Sequence, residues 1–241
     1  MIELKNLTCS YDNKLILDDI NLKINKHLSI LGSNGSGKST LAKAICNLIT
    51  YNGEIQINNT NIKDISPKEM AKNISYIPPK LNIYDSFITV EEFVLQGRFP
   101  YKKSFFNYDV KDKKITKQTL EFLKIQHLKN HSVSSLSSGE QQLTLIAQAL
   151  TQQSKIIIFD EPTANLDPHN SKIIADFIKG LKEYHQIILI THDLNLASFI
   201  GSEVLFIKDF KTKSYKDNFF NNDSLEELYG VKFDSLAVKY D

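Results

Sequence analysis

Apolar positions near the N-terminus fall in short alternating runs. Ile20, Leu22 and Ile24 alternate with polar residues, the period of a strand with one buried face. Leu28-Ser29-Ile30-Leu31 predicts a short apolar strand leading into Gly32-Ser33-Asn34-Gly35-Ser36-Gly37-Lys38. Leu41, Ala44, Ile45 and Leu48 then recur at helical spacing, so the order is strand, glycine-rich loop, helix. Asn52-Gly53 carries a turn signal, with a strand over Glu54–Ile57 after it. From about residue 80 to 153 the pattern changes. Val90, Phe93 and Val94, then Leu120, Leu123 and Leu128, predict short helices, and Phe105-Phe106-Asn107-Tyr108 reads as an aromatic-rich loop. Beyond it, Ile156–Phe159, Ile187–Ile190 and Val204–Ile207 are unbroken apolar runs, as expected of parallel strands covered on both faces, with a helix over Ile173–Leu181. The pattern predicts one α/β domain over residues 1–241, with a helical insert at about 80–153.

Composition narrows the classes of function. The chain has 241 residues, 41% of them hydrophobic and 24% charged, as in an ordinary globular protein with a sizeable core. Lys+Arg is 29 and Asp+Glu 28, and the net charge of +1 gives no broad basic surface for nucleic acid. The basic residues are nearly all lysine, Arg98 being the one arginine. The two cysteines, Cys9 and Cys46, form no zinc pattern and suit a reducing compartment. Met1-Ile2-Glu3-Leu4-Lys5 is not a charged leader followed by an apolar run, and no stretch of about 20 apolar residues exists to span a bilayer. If the protein works at a membrane, other chains must cross it.

Gly32 to Ser39 matches G-x-x-x-x-G-K-S. Its glycines let backbone N–H groups converge on phosphate oxygens at the positive end of the following helix. Lys38 is placed to reach the β- and γ-phosphates and the Ser39 hydroxyl to ligate Mg²⁺. Asp160-Glu161 follows a buried apolar run. A carboxylate there, beside a phosphate loop, holds Mg²⁺ directly or through water, and Glu161 would orient and deprotonate an attacking water. In Leu136-Ser137-Ser138-Gly139-Glu140, a serine hydroxyl and glycine amides at a helix start make a second anion site.

This ordered set resembles the ABC ATPases, whose distinguishing L-S-G-G-[QE] signature stands, as here, about 20 residues before the acidic pair. The resemblance implies a phosphate-loop NTPase fold of ABC ATPase type: a parallel sheet core, N-terminal antiparallel strands and an inserted α-helical subdomain. It implies that Tyr11 stacks on adenine, that Gly32, Ser33, Asn34, Gly35, Ser36, Gly37, Lys38, Ser39 and Thr40 hold ATP, and that Ser39 and Asp160 hold Mg²⁺. It further implies that Ser137, Ser138, Gly139 and Glu140 contact the nucleotide of a second subunit, with Asp167 in the loop Ala164–Asp167 that communicates across the dimer. His192 looks like the switch histidine at the γ-phosphate, catalytic together with Glu161 and Lys38. The expected assembly is a homodimer of ATPase subunits on two transmembrane permeases, served by an extracytoplasmic binding protein. It would sit peripherally on the cytoplasmic face of the cell membrane.

A finer likeness runs through Ile88-Thr89-Val90-Glu91 and Gln96-Gly97-Arg98-Phe99-Pro100-Tyr101, then Glu140–Leu143 with Ala149-Leu150, Thr191–Ala197, and Leu225 to Tyr229-Gly230-Val231. It is similar to ATPases of iron–siderophore, haem and vitamin B12 importers. Another importer, or a weakly active regulatory subunit, is the alternative. Three departures stand out. Pro79 replaces the glutamine that ends Tyr76-Ile77-Pro78-x, Ser138 replaces the first signature glycine, and Gln141 and Leu143 stand where many relatives have arginine. Pro79 has neither a side-chain amide nor an N–H, so either nearby Lys80 or Asn82 takes over part of the glutamine's role or coupling to the permease is altered.

Overall fold

The computed structural model describes residues 1–12, 14–82, 85–102, 107–216 and 219–229. Two sheets form its frame. The first joins β1 (Ile2–Tyr11), β2 (Lys14–Ile24), β4 (Asn52–Ile57) and β5 (Thr60–Asn61) in the antiparallel order β2-β1-β4-β5. The second has the order β10-β9-β3-β8-β7-β6, built from β3 (Leu28–Leu31), β6 (Ile74–Ile77), β7 (Ile156–Asp160), β8 (Gln186–Ile190), β9 (Glu203–Lys208) and β10 (Lys211–Tyr215). Its strands pair in parallel except β10, which runs antiparallel to β9. Among the described residues the α-helices are α1 (Lys38–Ile45), α2 (Pro67–Asn73), α3 (Val90–Leu95), α4 (Val110–Phe122), α5 (Ser138–Thr151), α6 (Pro168–Leu181), α7 (Leu194–Ile200) and α8 (Asn222–Tyr229).

The unbroken apolar runs are central strands with a core on each face. Successive side chains of a strand point to opposite sides. Ile156 and Ile158 of β7, with Ile188 and Ile190 of β8, pack toward α1 and the N-terminal sheet. Ile157, Phe159, Ile187 and Leu189 pack among Val94, Leu120, Leu145, Ile178 and Leu196 on the other side. The helical segment is therefore fused to the sheet through a continuous apolar core.

Arg98 ties that segment together in the short 3₁₀ turn Gln96–Tyr101. Its guanidinium is only 2% exposed. It donates to Asp112 Oδ1 at 2.9 Å, to the Thr151 carbonyl at 2.7 Å and to Gln153 Oε1 at 2.9 Å, and lies 3.9 Å from the centroid of the Tyr101 ring. A buried charge of this kind is tolerated because Asp112 balances it and the donors on Nε and Nη1 are met.

Two expectations change. Asn52-Gly53 is no turn but the start of β4, which pairs with β1. Gly53 has φ of 93°, and a Cβ there would come within 2.4 Å of the Asn6 carbonyl, so glycine lets the strands close over a register shift. Leu48 lies beyond α1 and is 60% exposed, so the helical repeat ends sooner than its spacing suggests. Phe105 and Phe106, and Gly230 and Val231 of the C-terminal likeness, lie outside the described residues.

Candidate functional site

The phosphate loop leaves β3 at Leu31 and enters α1 at Lys38. Gly37 caps that helix with φ of 102°, a left-handed conformation that side chains resist. Lys38 is buried at 6% exposure, its Nζ donating to the Gly32 carbonyl at 2.9 Å and the Ser33 carbonyl at 3.0 Å. Burial lowers its pKa, opposed by the charges of Glu161 and Asp160, which places both carboxylates in its field.

Asp160 ends β7, fully buried. Ser39 Oγ donates to its Oδ1 at 3.0 Å, and Tyr76 Oη donates to its Oδ2 at 2.6 Å. Burial first, then the hydrogen bond to Asp160, raises the Tyr76 phenol far above the ordinary tyrosine range. Glu161 follows with φ of 50°, in the left-handed region that non-glycine residues seldom adopt. Its N–H donates to the Ile190 carbonyl at 2.8 Å, which fixes the turn. Its Oε2 lies 2.9 Å from His192 Nδ1 and 3.4 Å from Thr191 Oγ1. An ionised carboxylate only accepts, so Nδ1 carries the proton in this pairing. A neutral ring then has no second N–H for a phosphate.

Lys38, Ser39, Asp160, Glu161 and His192 thus converge at the ends of β3, β7 and β8. Ser33, Asn34 and Gly35 form the exposed rim of the loop, and Thr40 is half-buried on α1. Tyr11, at the end of β1, is 42% exposed, with surface free for stacking. The signature lies apart, with no hydrogen bond to the loop among the described residues. Ser137 caps α5 in a capping box: its Oγ donates to Glu140 Oε2 at 2.7 Å, and its own N–H donates to that oxygen at 2.9 Å. The Ser137 hydroxyl and then its N–H hold the Glu140 carboxyl below the usual range. Gly139 packs against Asn170, where a Cβ would lie 2.8 Å from the amide. Asp167 caps α6, accepting from Asn170 N at 3.0 Å.

The loop suits a phosphate chain. Ser36 Oγ is buried with no hydrogen-bond partner among the described residues, and a Cβ on Gly35 would meet nothing within 4 Å, so the loop presents an open polar face. No cluster of three or more His, Cys, Asp or Glu side chains able to hold a metal exists among the described residues. Ser39 with Asp160 is instead the sparse oxygen set that suits Mg²⁺, which keeps waters and phosphate oxygens as its remaining ligands. Sequence reasoning did not place Tyr76 here. The available signal was the period-two register: Tyr76 pairs with Ile158, two residues before Asp160 and on the same face.

Comparison with known proteins agrees with this geometry. Residues 17–164 match the family model described as "ABC transporter". A Helicobacter pylori protein named "Probable iron chelatin transport ATP-binding protein" is 36% identical over 217 residues, covering 88% of this chain and 85% of that one. "Phosphonates import ATP-binding protein PhnC 1" of Halalkalibacterium halodurans is 38% identical, covering 88% and 87%. The dimeric structure of MJ0796, a bacterial ABC transporter cassette, superposes with a TM-score of 0.78 at 30% identity, covering 90% of this chain and 98% of that one. The phosphate loop, the acidic pair beside it and these matches together show that the chain belongs to the ABC transporter family and is an ATPase of its cassette type.

Proposed function

We propose that this ATPase powers import of an iron chelate, a siderophore complex or haem, or of vitamin B12, through two membrane permease subunits. The observation that carries the chemistry is the convergence of Lys38, Ser39, Asp160, Glu161 and His192 at the strand ends. ATP lies along the loop from Gly32 to Thr40 with adenine against Tyr11, and Ser39 and Asp160 hold Mg²⁺. Bound there, Mg²⁺ neutralises charge on the phosphate oxygens. Glu161 takes the proton of the attacking water. His192 orients Glu161 through Nδ1, and reaches a phosphate as donor either as the imidazolium or by leaving Glu161. Ser137, Ser138, Gly139 and Glu140 face the nucleotide of a second copy, with Asp167 beside the shared interface. A homodimer closed over two ATPs gives the otherwise isolated signature a ligand.

The reading of import and iron is supported by the resemblance of the run Ile88–Tyr101, and iron also by the name of the H. pylori relative. The phosphonate-named relative makes phosphonate the competing substrate. No helix among the described residues is long and apolar enough to cross a membrane. Peripheral attachment at the cytoplasmic face, with an extracytoplasmic binding protein across the membrane, fits that reading.

Glu161→Gln tests it. This variant should bind ATP as the parent does, lose roughly 10²–10⁴-fold in turnover, and form an ATP-dependent dimer by light scattering. Near-normal turnover removes Glu161 from the base role, and a strictly monomeric species at saturating ATP removes the sandwich.

A further inference from the structure

Asp160 has each carboxylate oxygen held from a different element. Ser39, on α1, donates to Oδ1 at 3.0 Å, and Tyr76, on β6, donates to Oδ2 at 2.6 Å. The carboxylate is fully buried, so bulk water cannot stand in for either donor. A carboxylate oxygen has two lone pairs, and Oδ1 keeps one for a cation or a cation-bound water. Which way that lone pair points depends on the rotation of the carboxylate plane. The bond to Ser39 alone leaves the plane free to pivot, and the bond to Tyr76 removes that freedom.

We propose that Tyr76 is a positioning residue for the divalent cation, its hydroxyl locking the Asp160 carboxylate so that Oδ1 stays turned toward Ser39. The inference rests on the reading of Ser39 and Asp160 as the Mg²⁺-holding pair. It assigns a role to the first residue of the run Tyr76-Ile77-Pro78-x, in which the resemblance gives a role only to the last position. It also bears on the departure at residue 79. Where the resemblance would bring a glutamine amide to the metal from the loop after β6, this chain has exposed Pro79. Tyr76, three positions earlier and inside the strand, reaches the metal-side carboxylate instead. Groups hydrogen-bonded to metal ligands fix ligand orientation, and their loss typically weakens metal affinity.

The test compares the whole chain with Tyr76→Phe, Tyr76→Met and Ser39→Ala, using a fluorescent ATP analogue. Nucleotide Kd is measured in EDTA and across a Mg²⁺ titration, with thermal unfolding in EDTA recorded alongside. Tyr76→Phe should raise the Mg²⁺ midpoint roughly tenfold while the Kd in EDTA stays within about twofold of the parent. Tyr76→Met, which fills similar volume without a hydroxyl, should do the same, and guards against a folding defect peculiar to one variant. A merely structural tyrosine would lower the unfolding temperature and leave the Mg²⁺ midpoint where it was, and that result overturns the proposal. Ser39→Ala separates the two levels. If it shifts the midpoint and the Tyr76 variants do not, Tyr76 alone loses its role. If Ser39→Ala also leaves the midpoint unchanged, the cation lies elsewhere and the reading beneath the proposal falls with it.

Discussion

The two regions proposed to face phosphate are built in opposite ways. At the sheet, Tyr76, Ser39, Asp160, Glu161 and His192 come from β6, α1, β7 and the ends of β7 and β8, and meet only once the parallel strands are in register. At the signature, Ser137 and Glu140, three residues apart, satisfy one another through a capping box wherever α5 forms. The first arrangement is centred on the fully buried Asp160 carboxylate and depends on distant chain, whereas the second is local, with Ser137 and Ser138 exposed. A buried polar cluster loses heavily when one member is removed, because its partners are stranded away from water. A local cap at the surface loses only its own hydrogen bonds. Both regions satisfy their hydrogen bonds without a ligand, the sheet site across distant elements and the signature within one helix start.

The sharpest way to break this contrast is Asp160→Ala. It leaves the hydroxyls of Ser39 and Tyr76 without their acceptor, and should cost about 2–3 kcal/mol of stability. Calorimetry of the nucleotide-free protein should then show unfolding roughly 5–10 °C lower. An unchanged Tm would mean the cluster is not held as a unit. Ser137→Ala should cost about 1 kcal/mol, the usual loss of a helix cap, lowering Tm by roughly 2–4 °C. Equal losses for the two variants would erase the difference between the regions.

Acid should act on the signature in a defined direction. The folded pKa of Glu140 is depressed, so its contribution is fully present above its unfolded value of about 4.3 and is lost as pH falls through the folded value. The Ser137 amide resonance should therefore titrate with a midpoint below about 4.3, and a midpoint above it would mean the box is not formed in solution. The smallest effect is expected at the stretch joining the two regions. Pro79→Gln should shift nucleotide Kd by less than about tenfold, or 1.4 kcal/mol, while changing the ratio of permease-stimulated to basal hydrolysis in reconstituted membranes. A larger shift in Kd with a fixed ratio would put residue 79 in the nucleotide pocket.

Much of this was legible in the sequence because it is local or periodic. The loop Gly32–Ser39 declares itself by composition, and the central strands by unbroken apolar runs. What was not legible depended on pairing between distant segments. Gly53 reads as a turn until β1 is seen to pass within 2.4 Å of where its Cβ would be. Tyr76 reads as an ordinary strand residue until the parallel register sets it opposite Ile158, two residues short of Asp160. The pairing of Glu161 with His192 needs β7 and β8 side by side, which no spacing along the chain encodes. The internal capping of Ser137 by Glu140 was present in the spacing S-x-x-E, but that spacing reads equally as an anion site and as a self-satisfied helix start.

The buried Arg98 has a mechanical consequence. It grips the last residue of α5 through the Thr151 carbonyl, while Ser137 caps the other end of the same helix. The 14 residues between make a rod about 21 Å long. With one end held by a planar fork that stacks on an aromatic ring, any tilt of the rod is largest at its far end. A tilt of about 5° at the clamp carries the signature through roughly 2 Å over that length, close to the difference between a hydrogen bond and none. The only guanidinium in the chain thus holds one end of a 14-residue lever, and a displacement where α5 meets α4 is magnified at the signature.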